Sequence, residues 1–351
     1  MKKNCLLLSL ALMCSTVSFG QVIREAETSL VYYMPYTTLV FDIEYEEITE
    51  QKGPLYQYSE RYLRTADIVK EDRTFYRLTG IHVRPVTSAD TTRAFVVPFN
   101  EKYPSCSLLS LNKKGILLGV NSNNRHNGQP KKTVSQTETE QTQITKSSRP
   151  VPLLEEQLIA NSTAKMAENT AKQIYRLRES RLNLLSGDVE HLPGDGLSIQ
   201  LVLDEMNVQE DALTRLFVGQ RSVTKCHKSI RFVPTAAMED DVLFRFSLFS
   251  GVVAKDDMSG NPYYLTLVKY LPSYAPPAKG DEKLQAAKSP VCYNIPGKAH
   301  ITLTDGERIW VDTTIDIAQW GIAVALPYSL FKNDTQVEFY PATGEIKSIR
   351  K

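Results

Sequence analysis

The stretch MAENTAKQIYRLRESRLNLLSGDVEHLPGDGLSIQLVLDEMNVQEDALTRLF, from Met166 to Phe217, reads as two helices joined by a turn. Asn161, Ser162 and Thr163 each carry an oxygen able to cap the first helix. Ala164, Ala167, Ala171, Ile174, Leu177, Leu182 and Leu185 then recur at spacings of three to five residues, which is one apolar stripe on a helix. Gly187 stops the helix by permitting a left-handed cap, and Asp195 caps the next. Leu201, Val208, Ala212, Leu213 and Leu216 supply the second stripe. Small alanines on the first helix allow close approach of the second.

The polar faces carry opposite charge: Arg176, Arg178 and Arg181 on the first helix, Asp204, Glu205, Glu210 and Asp211 on the second. Cross-helix ion pairs are the simpler use of those arginines, worth ~0–1 kcal/mol each when exposed. The sharper use is an anion site for a phosphate or carboxylate, which guanidinium forks bind at two points.

Working outward, the flanks read as strands. In TTLVFDIEYEEI, Leu39, Phe41, Ile43 and Tyr45 alternate with Val40, Asp42, Glu44 and Glu46. GPLYQYSERYL, from Gly53 to Leu63, is a turn followed by a short helix, and SLLSLNKKGILLGV is a hairpin around Asn112 to Gly115. After the helices, VLFRFSLF, YYLTLVKYL and GIAVALP are strands, and ITLTDGERIWV is a hairpin turning at Asp305-Gly306. One internal echo stands out. Setting Pro98 on Pro327 brings Gly115 onto Gly344 without a gap, with a hairpin in each segment.

Residues 121–150 have no aromatic and only Val134 and Ile144 as large aliphatics, so burial cannot offset their ordering entropy and they read as a polar linker. At the start, Lys2 and Lys3 precede an apolar run from Cys5 to Val17, then small residues up to Gly20. This is the pattern of a secretory signal peptide cut before Gln21. Leu12 and Met13 before Cys14 make a poor lipid-attachment box, and no later segment has the length and apolarity of a membrane helix. Loss of Lys2 and Lys3 from 41 basic residues, against 40 acidic ones, moves the net charge from +1 to −1, which speaks against nucleic acid as a partner. Cys106, Cys226 and Cys292 remain, room for one disulfide and no disulfide scaffold.

Chemistry is sparsely signalled. There is no CxxC pair, HExxH helix, calcium-loop acid series, GxSxG elbow or phosphate-cradling glycine loop. Asp188, Glu190, His191 and Asp195 crowd one turn, where capping explains them better than a metal. Cys226 and His227 are adjacent, so on a strand they point to opposite faces and cannot pair. Eight tyrosines between Tyr32 and Tyr76 suit a sugar or peptide platform, and suit strand packing better. No catalytic, cofactor or metal-ligating residue is assigned.

The chain resembles domain-of-unknown-function family 4831, exported envelope proteins of Gram-negative anaerobes. The resemblance rests on Gly53–Leu63, on AENTAKQIYRLRESRLNLLSGDVEHLP (Ala167–Pro193) and on DEMNVQEDALTRLFVG (Asp204–Gly219). It implies export, and brings no activity, cofactor or site residue with it.

The expected fold is α+β: two antiparallel β-rich domains, 21–120 and 220–351, joined through the 121–150 linker and an antiparallel helical hairpin at 151–219. The expected role is a non-enzymatic binding or scaffold protein of the periplasm or envelope with a protein or glycan partner. The alternative is a carbohydrate-acting hydrolase whose carboxylates spacing does not reveal.

Overall fold

The first strand, β1 (Ser29–Gln51), runs for 23 residues, pairs with two other strands and contributes to two of the three hydrophobic cores. It belongs to a computed structural model that describes residues 29–98, 109–121, 153–188, 195–272, 291–327, 330 and 335–350. The expected signal peptide and cleavage point, nearly all of the 121–150 linker, Cys106, and Glu190 with His191 lie outside the described residues.

The chain is mostly antiparallel β-sheet with four α-helices among the described residues. A short 3-10 turn (Tyr56–Tyr58) and α1 (Ser59–Leu63) follow β1, where GPLYQYSERYL predicts a turn and a helix. Then come β2 (Arg73–Pro98), the hairpin β3 (Leu109–Leu111) and β4 (Leu117–Val120), and the helices α2 (Glu155–Leu158), α3 (Thr163–Ser186) and α4 (Gly196–Val218). The remaining strands are β5 (Gln220–Phe232), β6 (Met238–Ser247), β7 (Gly251–Val253), β8 (Asn261–Tyr270), β9 (Cys292–Thr304), β10 (Ile309–Ala325), β11 (Gln336–Phe339) and β12 (Ile346–Arg350).

Three sheets form, ordered β2-β1-β5, β10-β9-β8-β6-β7 and β12-β11-β4-β3. The expected division into two successive β-domains is not how the strands pair. β5 lies along β1 for thirteen residues, from Leu39↔Phe232 to Gln51↔Gln220, and β11 pairs with β4 through Val337↔Val120. The physical reason is that β2 satisfies only one edge of β1, and the other edge needs a partner from elsewhere in the chain. The alternation in β1 works as read: Leu39, Phe41 and Ile43 are fully buried against Phe244, Leu265, Ile301, Leu303 and Trp320 of the five-stranded sheet. Each such side chain contributes about 1.5–3 kcal/mol when removed from water.

The echo between the two regions is structural. Tyr33↔Ala94, Tyr36↔Ser88 and Val40↔Arg84 in β1–β2 match Asn294↔Ala323, Gly297↔Ile317 and Ile301↔Thr313 in β9–β10, position for position. Both ladders break register near the same place, after Tyr33 in β1 and between Ile317 and Ile322 in β10, and Pro35 and Pro296 occupy equivalent positions in β1 and β9. Each ladder is followed by its hairpin, and the hairpins dock alike: Tyr33 N donates to Gly115 O (2.9 Å) and Asn294 N to Gly344 O (3.0 Å). Gly115 and Gly344 both take φ near +76°, a turn conformation glycine adopts freely. Fully buried Asn294 ties the repeats together, donating to Ala318 O and Thr343 O and accepting from Arg93.

At the far end of β1 the helices dock. Leu55, Ala167, Ala171, Ile174, Leu213 and Phe217 form their core. Leu55 N donates to Leu216 O (2.8 Å), Val69 N to Val218 O (2.8 Å) and Ser59 Oγ to Phe217 O (2.8 Å). The caps are those read from sequence: Ser162 accepts from Lys165 N, Gly187 is left-handed, and Asp195 accepts from Ser198 N. The helices run side by side in opposite directions, Arg178 against Glu210 and Arg181 against Asn207. No helix among the described residues is long and apolar enough to cross a membrane.

Gly53 and Gly219 make this junction possible. A Cβ on Gly53 would collide with the Leu216 carbonyl, and one on Gly219 would sit 2.5 Å from Gln51 O. Gly53→Ala is expected to destabilise the fold by roughly 1–3 kcal/mol through overpacking. Gly196→Ala, with nothing within 4 Å of the new methyl, serves as the control. Denaturant unfolding of the two variants checks this, and equal midpoints would refute the close-approach account.

Candidate functional site

The outer face of the β2-β1-β5 sheet carries a charge pattern dictated by register. On the face of β1 opposite Phe41 and Ile43, Asp42, Glu46 and Glu50 recur every fourth position. The neighbouring strands answer with cations. Glu46 accepts from Arg77 (2.7 Å), its direct rung partner. Glu50 faces Arg73 in β2 and Arg221 in β5 on the same rung, and accepts from the Nε of each, at 2.5 and 2.7 Å. Asp42 accepts from Arg84 (2.6 Å) and the Ser229 hydroxyl (2.5 Å), with His227 Nε2 at 3.6 Å. An acidic central strand between two basic ones is the sheet counterpart of opposite-charge pairs along a helix.

Glu50 differs from the others in burial. Only 4% of its side chain is exposed, while Arg73 and Arg221 above it are 62% and 57% exposed. Hydrogen bonds from those two guanidinium groups hold its carboxyl below the usual range. Arg73 is further steadied by the Phe75 ring, 5.1 Å below its guanidinium carbon. Beside the clamp lies an open groove of about 590 Å³ lined by residues 49–52 and 72–74, its mouth fixed by the Lys52 N–H donating to Asp72 (2.6 Å). For Asp42, partial burial pushes the carboxyl up, but Ser229, Arg84 and His227 outweigh it and the net shift is downward.

The arginines named from sequence are distributed unevenly. Arg178 Nε and an Arg181 Nη both donate to Glu210, at 2.6 and 2.7 Å, and Arg181 also donates to Asn207. Arg178 lies over Tyr175, 5.6 Å from its centroid. Arg176 is exposed and shares no hydrogen bond with them. Two of the three are thus brought together, around an acid that takes both.

The helix pair is also less covered than its stripes imply. Its inner half is buried, but Leu182 and Leu185 are 65% and 64% exposed, and Leu197 and Leu201 are 81% and 71% exposed. All four sit at the end remote from the Leu55 core. Helical periodicity identifies an apolar face, and cannot say where along it the body of the protein stops.

Other expectations fall out simply. Tyr32 is fully buried, its hydroxyl donating to Cys292 O and accepting from Cys292 N, and Tyr45 packs on Tyr76 and Phe246, so these tyrosines serve the core rather than a platform. Cys226 and His227 do point apart, the imidazole toward Asp42 and the thiol toward Thr224 O. Cys226 and Cys292 are both free thiols. Among the described residues no cluster of three His, Cys, Asp or Glu is placed to hold a metal ion. The carboxylates Asp42, Glu44, Glu46 and Glu50 line one strand face, not two sides of a cleft. The Glu50 clamp was the feature sequence reasoning missed. Its only trace is the acidic alternation in β1, because Arg73 and Arg221 come from distant segments.

A carboxyl whose folded pKa is lowered stabilises the fold above its unfolded pKa, and that contribution is lost as pH falls through the folded value. The stability difference between the natural chain and Glu50→Gln is therefore expected in full at pH 7 and to shrink below about pH 4.5, the ordinary carboxyl value. Urea midpoints at pH 7 and pH 3 check it; a difference that does not change with pH would contradict the clamp.

No curated protein and no solved structure matches the chain. A family model described as "Domain of unknown function (DUF4831)" matches residues 28–347, which takes in β1, both repeats, the helix pair and the clamp. The chain belongs to the DUF4831 family.

Proposed function

We propose that this chain is a non-enzymatic binding or scaffold protein of the bacterial envelope, whose docking element for a protein partner is the outer half of the helix pair. The exposed Leu182, Leu185, Leu197 and Leu201 carry this reading. Two adjacent helices that leave four large aliphatic side chains in water expose apolar surface of the kind that marks interaction sites. Helix faces of this type bind through apolar anchors spaced three and four residues apart, and Leu182–Leu185 and Leu197–Leu201 have that spacing. Export is supported by the lysine pair, apolar run and small residues of the first twenty positions.

Arg176, Arg178 and Arg181 then act as the polar rim of this surface. An anion bound by the same arginines would compete with Glu210 for Arg178 and Arg181, leaving Arg176 as the unengaged cation of the three.

The test is crosslinking of the tagged chain in its native envelope, followed by identification of the captured protein. Replacing Leu185 and Leu201 with Asp is expected to abolish capture without lowering the melting temperature, since neither side chain is in the core. Undiminished capture by a folded double variant would sink the helix-pair reading.

A further inference from the structure

Strand β5 closes the free edge of β1 and leaves one of its own. It is the outermost strand of its sheet and pairs only with β1. Successive residues of a strand turn their backbone N–H and C=O to opposite sides, so alternate residues serve alternate edges. Tyr76 N donates away from β1 to Leu248 O, so its rung partner Glu47 is turned toward β5, and Thr37 N likewise donates away from β2, to Gln319. From Leu39 to Gln51, then, the odd-numbered residues of β1 bond β5, and the register matches them to even-numbered residues, from Phe232 to Gln220. The backbone groups of Arg221, Val223, Lys225, His227, Ser229 and Arg231 are thereby left on the outer edge, where nothing among the described residues bonds them. All six residues are exposed.

A row of unpaired backbone groups is a template for another strand, and natural edges are blunted by proline, bulges, shortness, a covering segment or charge. β5 runs thirteen residues in unbroken register with no proline and no glycine. Charge is the device it uses, and charge of one sign selects as well as repels. The strand carries Arg221, Lys225, Lys228 and Arg231 and no acidic residue. Glu50 takes Arg221 and Val252 O takes Lys228, whereas Lys225 and Arg231 have no hydrogen-bond or ion-pair partner among the described residues. Glu46, across from Lys225, is held by Arg77 instead. Lys225 and Arg231 lie on one sheet face, roughly 20 Å apart along the strand. A second copy pairing antiparallel through β5, centred on Cys226, would set Arg221 on Arg231 and Lys225 on His227, like charges directly opposed. An acidic strand meets opposite charge there, as β1 does on the inner edge with Glu50 against Arg221.

We infer that the open edge of β5 takes an extended acidic segment of a partner protein, which adds a fourth strand to the β2-β1-β5 sheet. Backbone bonds to the six outward residues hold the segment, as in other strand additions at a sheet edge. Carboxylates at alternate positions pair with Lys225 and Arg231, and an apolar residue covers Val223, which is 45% exposed. This edge is distinct from the exposed leucines: Leu197 and Leu201 stand at the start of α4, and β5 begins past its end, roughly 30 Å along the helix. Neither assignment depends on the other.

Residue-resolved amide hydrogen exchange on the full chain tests it. Without peptide, the amides of Val223, Lys225, His227 and Ser229 should exchange fast, and those of Thr224, Cys226 and Lys228 between them slowly. A synthetic peptide of alternating glutamate and valine should slow the first set about tenfold or more. It should bind about tenfold or more tightly than a lysine–valine peptide, and than its own fully N-methylated form, which keeps the charge and has no backbone N–H. Val223→Pro removes one outward donor and leaves the β1 ladder intact, a position where an edge strand accepts proline, and should weaken binding about tenfold. Replacing Lys225 and Arg231 with Glu should transfer the preference to the lysine peptide. The exchange readout uses the unsubstituted chain, so it holds even where a variant does not fold. Slow exchange of the outward amides in the peptide-free chain overturns the inference, whether a second copy or the chain itself covers the edge. So does failure of the glutamate peptide to bind, equal binding of the N-methylated or lysine peptide, or binding that leaves the outward amides unprotected.

Discussion

The unsatisfied second edge of β1 organises this protein. A 23-residue strand exposes two rows of backbone donors and acceptors, and β2 can cover only one. β5 covers thirteen residues of the other, which forces the chain that follows the helices to return to where it began. Once β5 lies there, the helix pair leading into it must end beside Gln51, and only glycine at 53 and 219 lets the backbones cross so closely. The same strand threads the three cores in succession: Tyr32 and Met34 under the four-stranded sheet, Leu39 to Ile43 within the main sandwich, and its last residue at the helical junction.

The matched ladders of β1–β2 and β9–β10 explain why the small four-stranded sheet exists. Each long antiparallel pair breaks register within two residues of the equivalent position and leads into a hairpin that returns to its own ladder through the same hydrogen bond. Two such hairpins present free edges near one another, and β4 and β11 close them against each other. The repeats differ where they meet the rest of the protein. β1 turns acidic residues outward, whereas β9 lies inside the five-stranded sheet between β8 and β10. One repeat is thereby left with a charged outer face, and it is there that the Glu50 clamp is assembled.

The two features of greatest functional interest lie apart: the Glu50 clamp near the end of β1, where the helices dock, and the exposed leucines at the opposite end of the helix pair. One is apolar and built on helices, the other polar and built on a sheet.

Much of the local structure was legible in the sequence. Ser162, Gly187 and Asp195 announced the helix ends because caps satisfy backbone groups within a few residues of themselves. Leu39, Phe41 and Ile43 announced the buried face of β1 because strand side chains alternate whatever the partner. Gly115 and Gly344 announced the repeated hairpin because positive φ selects glycine locally. What tertiary structure alone decided was pairing across distance. No local rule says that β5 rather than a second domain completes the sheet, that Arg73 and Arg221 converge on Glu50, or that the leucine stripes extend beyond the core that covers them. Backbone edges, charges and apolar faces advertise a need for partners, but which distant segment meets that need is settled only when the whole chain packs.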